Sequence, residues 1–178
     1  MGSLPYCEKV YNSPIVRGVS PEQTLEKPLI LLVEDSDDDA YLIGRAFERA
    51  SVGNPLRRLK NGGEAIAYLN GDPPYWNRAE YPLPAMVLLD IKMPMTDGFE
   101  VLKWIRRQPE FTRLCVVMLT SSDEIRDVNL AYQLGATSFL VKPLDFWNAA
   151  ELSRAIERLL AKGECSASVA RPNQRSEH

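Results

Sequence analysis

The chain has 178 residues, of which 45% are hydrophobic and 25% are charged, a composition typical of one folded domain. It contains no run of about 18 apolar residues, which excludes a membrane span, and its net charge of -3 gives no basic field for the phosphates of a nucleic acid. The single histidine, His178, is the last residue, which excludes a histidine-based triad and a histidine-rich zinc site.

Three regions of the chain differ in pattern. Residues 1–28 contain several prolines without a regular period, which predicts an extended or disordered arm, and the polar residues 163–178 predict a C-terminal tail. Residues 29–162 alternate apolar runs with helical patterns and predict a single domain. The three cysteines form no CxxC pair and follow no secretory signal, so we expect reduced thiols in the cytoplasm.

Four short apolar runs predict buried strands, in chain order 29–33, 86–90, 114–119 and 138–141, and the more polar segment 56–60 is a further, weaker strand candidate. Helical patterns follow them and begin near residues 37, 63, 97, 123 and 147. We expect Asp37 or Asp38 to cap the first helix, Gly135 to end the fourth, and residues 71–84 to form a long loop. This alternation predicts a doubly wound α/β fold, in which five helices cover both faces of a parallel five-stranded sheet.

Chemically active side chains follow four of the predicted strands: Glu34, Asp35, Asp90, Thr120 and Lys142. We expect them to meet, because the carboxyl ends of parallel strands lie at one edge of the sheet, where ligands bind. Two carboxylates about 4 Å apart repel each other by about 4 kcal/mol at an effective dielectric constant of about 20. Positive charge must compensate, and oxygen ligands without histidine or thiolate indicate Mg²⁺, or Mn²⁺, with Lys142 as a second cation.

Each of these residues alone has a structural explanation. Glu34 and Asp35 could complement a helix dipole, Asp90 and Thr120 could cap strand ends or helices, and Lys142 could be solvated. Their common position at the ends of different strands favours a functional site.

Four segments carry these residues, Val33-Glu34-Asp35, Leu88-Leu89-Asp90-Ile91-Lys92-Met93-Pro94, Met118-Leu119-Thr120-Ser121 and Val141-Lys142-Pro143, and a fifth, Asp97-Gly98, lies between the second and the third. In this order they resemble the receiver domain of two-component response regulators, over residues 29–161. Lys60-Asn61-Gly62-Gly63-Glu64-Ala65, the loop at 71–84 and Leu144-Asp145 are most similar to the single-domain regulators that accompany phytochrome-type histidine kinases.

The resemblance implies a flavodoxin-like sheet with the strand order 2-1-3-4-5 and a phosphoacceptor signalling protein rather than an enzyme. It implies that Asp90 accepts a phosphoryl group from a partner histidine kinase. Glu34, Asp35 and Asp90 would hold Mg²⁺ together with the backbone carbonyl of Lys92.

The same resemblance assigns roles after phosphorylation. Thr120 and Lys142 would contact the phosphoryl oxygens, and Phe139 corresponds to an aromatic residue that turns inward once Thr120 moves. Plain core packing is an equal explanation of Phe139. No further periodic segment follows Ala161, so the signal would leave through an effector protein, a histidine phosphotransferase or a homodimer.

Two other functions fit part of the pattern. A Mg²⁺-dependent phosphohydrolase would use Asp90 as its nucleophile, but enzymes of the haloacid dehalogenase type place a second acid two residues later, where this chain has Lys92. A pseudo-receiver or dimerisation module would not need phosphorylation, although every acceptor residue is present. Because His178 lies in a polar tail with no helix to present it, we expect the phosphoryl donor to be another molecule.

Overall fold

The computed structural model describes residues 27–121, 125–142 and 148–162. Its parallel strands are β1 (Ile30–Val33), β2 (Leu56–Leu59), β3 (Met86–Asp90), β4 (Cys115–Thr120) and β5 (Ser138–Val141). The helices in the described ranges are α1 (Asp37–Arg49), α2 (Gly62–Asn70), α3 (Gly98–Arg107), α4 (Ile125–Gln133) and α5 (Ala149–Lys162). The strand order β2-β1-β3-β4-β5 confirms the doubly wound, flavodoxin-like α/β fold.

The sheet is buried on both faces because its central strands are continuously apolar. In β1, Leu31 and Val33 pack with the helices α2, α3 and α4, whereas Ile30 and Leu32 pack with α1 and α5. This follows from the alternation of side chains along a strand. The core therefore has two layers, and the buried polar residues Glu34, Asp90 and Thr120 lie at or just after the ends of strands.

The cap of α1 differs from the expected one. Ser36, rather than Asp37 or Asp38, is the N-cap, since its hydroxyl accepts a hydrogen bond from the backbone N–H of Asp39 at 3.2 Å. The backbone of Ser36 is extended, as a capping residue requires, and the aspartates that follow occupy the first turn, where they complement the helix dipole. Asp97 lies immediately before α3 and caps it through a capping box.

Most element ends lie within one or two residues of the expected ones, as is usual for sequence patterns. Strand β4 begins one residue later than expected, and α2 extends one residue further at each end. Gly135 follows α4 with a φ of 90°, the left-handed conformation that favours glycine at the end of a helix.

The loop after α2 folds around a tyrosine cluster, which consists of Tyr68, Tyr75 and Tyr81. Their ring centroids lie 5.1 to 6.1 Å apart, a separation at which tilted and edge-to-face rings attract each other. Tyr68 is fully buried, and its hydroxyl donates to the carbonyl of Pro82 at 2.8 Å. Arg57 of β2 lies 4.9 Å from the ring centre of Tyr81. The loop is therefore packed rather than open.

Some expectations concern residues outside the described ranges. These are the positions 1–26 of the arm, Asp123, Pro143, Leu144, Asp145, Trp147 and the tail at 163–178. Among the helices of the described ranges, none combines the length and the apolar character needed to cross a membrane.

Candidate metal site at the carboxyl end of the sheet

The strand register brings four of the expected site residues to one edge. The pairing of β1 with β3 ends at Val33, so the residue after it, Glu34, comes to lie beside Asp90. The pairing of β4 with β5 reaches Thr120, whose carbonyl accepts a hydrogen bond from the backbone N–H of Lys142 at 2.7 Å. The parallel pairing thus brings residues that are distant in sequence together at the carboxyl edge of the sheet.

Three carboxylates form a cluster at this edge. One oxygen from each of Glu34, Asp35 and Asp90 lies within 4.8 Å of the other two. Glu34 and Asp90 are only 1% and 4% exposed, whereas Asp35 is exposed, so a cation can reach the cluster from solvent. Hard oxygen donors with one side open to water fit Mg²⁺ or Mn²⁺, which retain water ligands.

Lys142 neutralises part of this charge. Its ammonium nitrogen lies 2.9 Å from Glu34 Oε2, 2.8 Å from Asp90 Oδ1 and 2.7 Å from Asp39 Oδ2. The side chain is 9% exposed, so its contacts with the buried Glu34 and Asp90 are shielded from solvent and are stronger than surface ion pairs, whereas the contact with Asp39 is partly open to solvent. This one ammonium group nevertheless contacts three carboxylates, and Asp35 adds a fourth negative charge to the cluster.

Burial and ion pairing shift the pKa values of Glu34, Asp90 and Lys142 in opposite directions. Burial raises the pKa of Glu34 and the pKa of Asp90, and the hydrogen bonds from Lys142 only partly oppose it. Burial lowers the pKa of Lys142, but its hydrogen bonds to Asp39, Asp90 and Glu34 outweigh this effect and leave the pKa above its ordinary value. Lys142 therefore stays charged, while ionisation of the two buried carboxylates carries a cost that a bound cation would relieve.

Backbone groups fix the two buried carboxylates. Glu34 Oε1 accepts the N–H of Ser36 at 3.1 Å, and the backbone N–H of Lys92 hydrogen-bonds the carboxylate of Asp90. The backbone of Lys92 thus lies beside the cluster, while its side chain is exposed. Gly98 packs so closely under this turn that a Cβ there would overlap the carbonyl oxygen of Asp90, so the first turn of α3 can support the site only with glycine at this position.

The sequence pattern did not identify Asp39 as part of the site. It is the third of three aspartates in the first turn of α1, and the pattern indicates only a cap or a dipole effect for them. The available signal is positional: α1 starts directly after the β1 carboxylates, so one face of its first turn borders the same edge of the sheet.

Arg58 is a second residue that the pattern missed. This side chain of β2 donates from Nε to the carbonyl of Glu34 at 2.9 Å and from Nη2 to the carbonyl of Asp35 at 2.9 Å. Its third contact is an ion pair with Asp37. Nothing in the spacing of β2 residues points to the loop after β1, because the contact depends on the neighbouring position of these strands.

Thr120 and Phe139 occupy the positions expected of them in the strands. Thr120 is 2% exposed at the end of β4, on the edge that carries the carboxylates. Phe139 is half-buried and packs against the core on the α4 side, where its ring meets Tyr132 edge-on with centroids 6.0 Å apart. This packing accounts for the residue structurally, and its role as a switch stays a hypothesis.

A doubly wound sheet with an acidic pocket and a lysine at its carboxyl edge defines a receiver-type signalling domain. The chain belongs to this family: residues 30–157 match the response regulator receiver domain. Receiver domains of this type bind Mg²⁺ or Mn²⁺ in an acidic pocket and take phosphoryl groups from histidine kinases.

Two proteins of similar sequence illustrate the match. The probable methanogenesis regulatory protein FilR2 of Methanothrix harundinacea is 39% identical over 131 residues, which cover 74% of this chain and 80% of FilR2. The response regulator Rcp1 of Synechocystis sp. is 34% identical over 129 residues, which cover 72% of this chain and 86% of Rcp1.

Solved structures agree with these sequence relationships. The Mn²⁺-bound form of Rcp1 superposes with a TM-score of 0.62 and covers 73% of this chain and 91% of its own. The bacteriophytochrome response regulator AtBRR is 40% identical, with a TM-score of 0.64, and covers 75% of this chain and 93% of its own. The chain is therefore a receiver domain that resembles the response regulators of phytochromes.

Proposed function

We propose that this protein is a single-domain response regulator that accepts a phosphoryl group on Asp90 from a separate histidine kinase. The observation that carries the proposal is the position of Asp90, which is buried beside Glu34 and Asp35 and within 2.8 Å of Lys142. A carboxylate held between a cation site and an ammonium group is placed for phosphoryl transfer, which needs positioning and charge neutralisation.

The proposed step is a displacement at phosphorus. A carboxylate oxygen of Asp90 forms the new P–O bond while the P–N bond of the phosphohistidine breaks, and the bonding electrons leave with the imidazole nitrogen. The product is an acyl phosphate, the departing imidazole takes up a proton from solvent, and no oxidant is needed. Lys142 and Thr120 lie at the same edge and would contact the oxygens of the transferred group.

The carboxylates of Glu34, Asp35 and Asp90 would hold Mg²⁺ or Mn²⁺, with the backbone carbonyl of Lys92 as a further ligand. The bound cation supplies charge neutralisation for the phosphoryl oxygens. The proposal draws support from the hard oxygen donors, from the raised pKa values of Glu34 and Asp90, and from the Mn²⁺-bound relative Rcp1.

The proposal places the acceptor unit at residues 29–162, with the arm at 1–28 and the tail at 163–178 outside it, and places the protein in the cytoplasm. The similarity to Rcp1 and AtBRR favours a phytochrome-type kinase as the donor. Output would pass to an effector protein or a histidine phosphotransferase, or through a homodimer, with Phe139 as the switch residue that reports the state of Thr120.

Labelling with radioactive acetyl phosphate and with a phosphorylated histidine kinase tests this function. The wild-type protein should take label only with Mg²⁺ or Mn²⁺ present, and the label should be alkali-labile and hydroxylamine-sensitive. The variant Asp90→Asn should take none. Asp38→Asn is the matched control, because Asp38 is an exposed aspartate of the neighbouring helix turn, and it should label normally.

The other functions give different results in the same assay. Multiple turnovers of phosphate release without accumulated label would indicate a phosphohydrolase, and no label from either donor would indicate a module that works without phosphorylation. Removal of residues 164–178 should leave labelling unchanged, and its loss in that truncation would contradict a donor on another molecule.

A further inference from the structure

The backbone that carries Glu34 and Asp35 is held by one side chain from the neighbouring strand. Arg58 lies in β2 opposite Leu32, two residues before Glu34, and its guanidinium reaches past the end of β1. Two of its nitrogens donate to the carbonyls of Glu34 and Asp35, each at 2.9 Å, and a third pairs with the carboxylate of Asp37. One group therefore connects three positions of the turn between β1 and α1.

The geometry of these contacts requires arginine. A guanidinium presents its N–H donors in a rigid planar fork, so the two carbonyls are fixed relative to each other as well as to β2. A lysine ammonium would keep the charge, but it is a compact point donor on a flexible stem. The side chain of Arg58 is 24% exposed, so most of it lies against protein and its orientation is restricted.

Charge and geometry act in opposite directions at this position. A positive charge near the carboxylate cluster opposes the binding of a cation, whereas a fixed backbone lowers the cost of bringing the oxygens together. A variant that keeps the charge and loses the fork therefore separates the two effects.

We propose, on the basis of the proposed function, that Arg58 is a positioning residue for the divalent-cation site. It fixes the carbonyls of Glu34 and Asp35 so that their carboxylates are held ready for the ion. Arg58 does not touch the cation or the phosphoryl group. It acts on both through the backbone of the turn.

The neighbouring Arg57 provides a matched control. It lies one residue earlier in the same strand, and its side chain extends to the tyrosine cluster, where Nη1 donates to the carbonyl of Glu80 at 3.1 Å. Arg57→Lys makes the same chemical change in the same strand without affecting the turn after β1.

The experiment measures the binding of Mn²⁺ alone, from the electron paramagnetic resonance signal of the free ion, in the full-length protein. Arg58→Lys should weaken binding by about tenfold, the lower end of the range for residues that orient metal ligands. Arg57→Lys should bind as the wild type does. If Arg58→Lys does not fold, Arg58→Gln, which keeps one amide group as a donor, replaces it. Because this variant also removes a positive charge and so favours the cation, its expected loss of affinity is smaller than tenfold, and any loss comes from the lost guanidinium contacts.

A second readout separates positioning from a general loss of structure. In labelling with acetyl phosphate, Arg58→Lys should raise the half-saturating Mg²⁺ concentration by the same factor and leave the maximal rate per folded molecule near that of the wild type. A merely destabilised protein would lower the labelled fraction at an unchanged half-saturating concentration.

The inference is overturned if Arg58→Lys binds Mn²⁺ as tightly as the wild type, whether or not its melting temperature falls, or if Arg57→Lys weakens binding to the same extent. Its failure is distinct from failure of the proposed function. A wild-type protein that binds Mn²⁺ but takes no label contradicts the proposed function alone, and the comparison of Arg58→Lys with wild type still decides the role of Arg58.

Discussion

The carboxyl end of the sheet and the loop after α2 both bury polar groups, but they satisfy them differently. Where the loop packs on α2, the hydroxyl of Tyr68 donates to the carbonyl of Pro82, and Arg78 donates to the carbonyls of Tyr68 and Leu69 at 2.8 and 2.7 Å. Each of these contacts pairs a donor with an acceptor of the same chain. At the carboxyl end, the ammonium of Lys142 serves three carboxylates, and Asp35 lies next to them.

The difference shows how a stabilising polar region can be distinguished from a functional one. Buried donors and acceptors that pair within the chain contribute to stability and need nothing from outside. A cluster with more negative than positive charges destabilises the metal-free protein by electrostatic repulsion, and a bound cation relieves that repulsion. Substitutions in the loop should therefore change stability alone, and substitutions in the carboxylate pocket should change function first.

The largest effect is expected for Tyr68→Ala, which removes the centre of the tyrosine cluster. Loss of a fully buried aromatic side chain should cost about 3 to 5 kcal/mol of unfolding free energy, measured by urea denaturation. The half-saturating Mg²⁺ concentration for labelling should not change. Tyr41→Ala is the control, because Tyr41 is 64% exposed and should cost little. A change in Mg²⁺ dependence in Tyr68→Ala would show that the two regions are coupled.

Lys142→Met should have the next largest effect, on function rather than on packing. Loss of the ammonium next to Asp90 should slow labelling by acetyl phosphate about 100- to 1000-fold, the range for removal of one preorganised electrostatic group. Rates are compared per folded molecule at saturating Mg²⁺. Lys103→Met, a substitution at an exposed lysine of α3, should label normally. Near-normal labelling of Lys142→Met would mean that the cation alone provides the neutralisation.

The fold was predictable because its signals are local and strong. Continuous apolar runs such as Leu29–Val33 allow few structures other than a buried parallel strand, and helical spacing between them requires crossovers. The tyrosine cluster was not predictable, since the burial of Tyr68 depends on how the loop at 71–84 folds back over α2. The cap of α1 was misassigned because four successive residues, from Ser36 to Asp39, are all competent caps.

The candidate site was predictable to the extent that it follows the strand ends. Glu34, Asp90 and Lys142 each come directly after an apolar run, and the rule that strand ends meet at one edge joins them. Asp39 and Arg58 do not obey that rule, because one reaches the edge from a helix and the other from within β2. Their contacts depend on side-chain direction and strand order, which a single sequence does not specify.

Asp90→Asn should make the free protein more stable while abolishing labelling. It removes one of several clustered negative charges at a site where burial raises the pKa of the carboxyl, so the melting temperature without metal should rise, by the equivalent of about 1 kcal/mol for a partly compensated like-charge contact. Added Mg²⁺ should stabilise the wild type and not this variant. A lower melting temperature of the metal-free variant would mean that the ion pair with Lys142 outweighs the repulsion.

The gain in stability of the metal-free Asp90→Asn variant should depend on pH. A carboxyl whose pKa is raised by folding binds more protons in the folded than in the unfolded state, so its destabilising effect is full above the raised pKa and disappears as the pH falls toward the unfolded value of about 4. The stability difference between Asp90→Asn and the metal-free wild type should therefore shrink on acidification from pH 7. A difference that grew instead would contradict the raised pKa of Asp90.

The smallest effect is expected for Asp39→Asn, which removes one of the partners of Lys142. Asp39 is 40% exposed, so solvent screens the contact and its loss should cost less than about 1 kcal/mol. Labelling should change by no more than a fewfold, because the ammonium keeps its contacts with Glu34 and Asp90. A double-mutant cycle identifies the cause: in the Lys142→Met background, Asp39→Asn should no longer change the unfolding free energy or the labelling rate. A persistent effect would show that Asp39 acts through the first turn of α1 and not through Lys142.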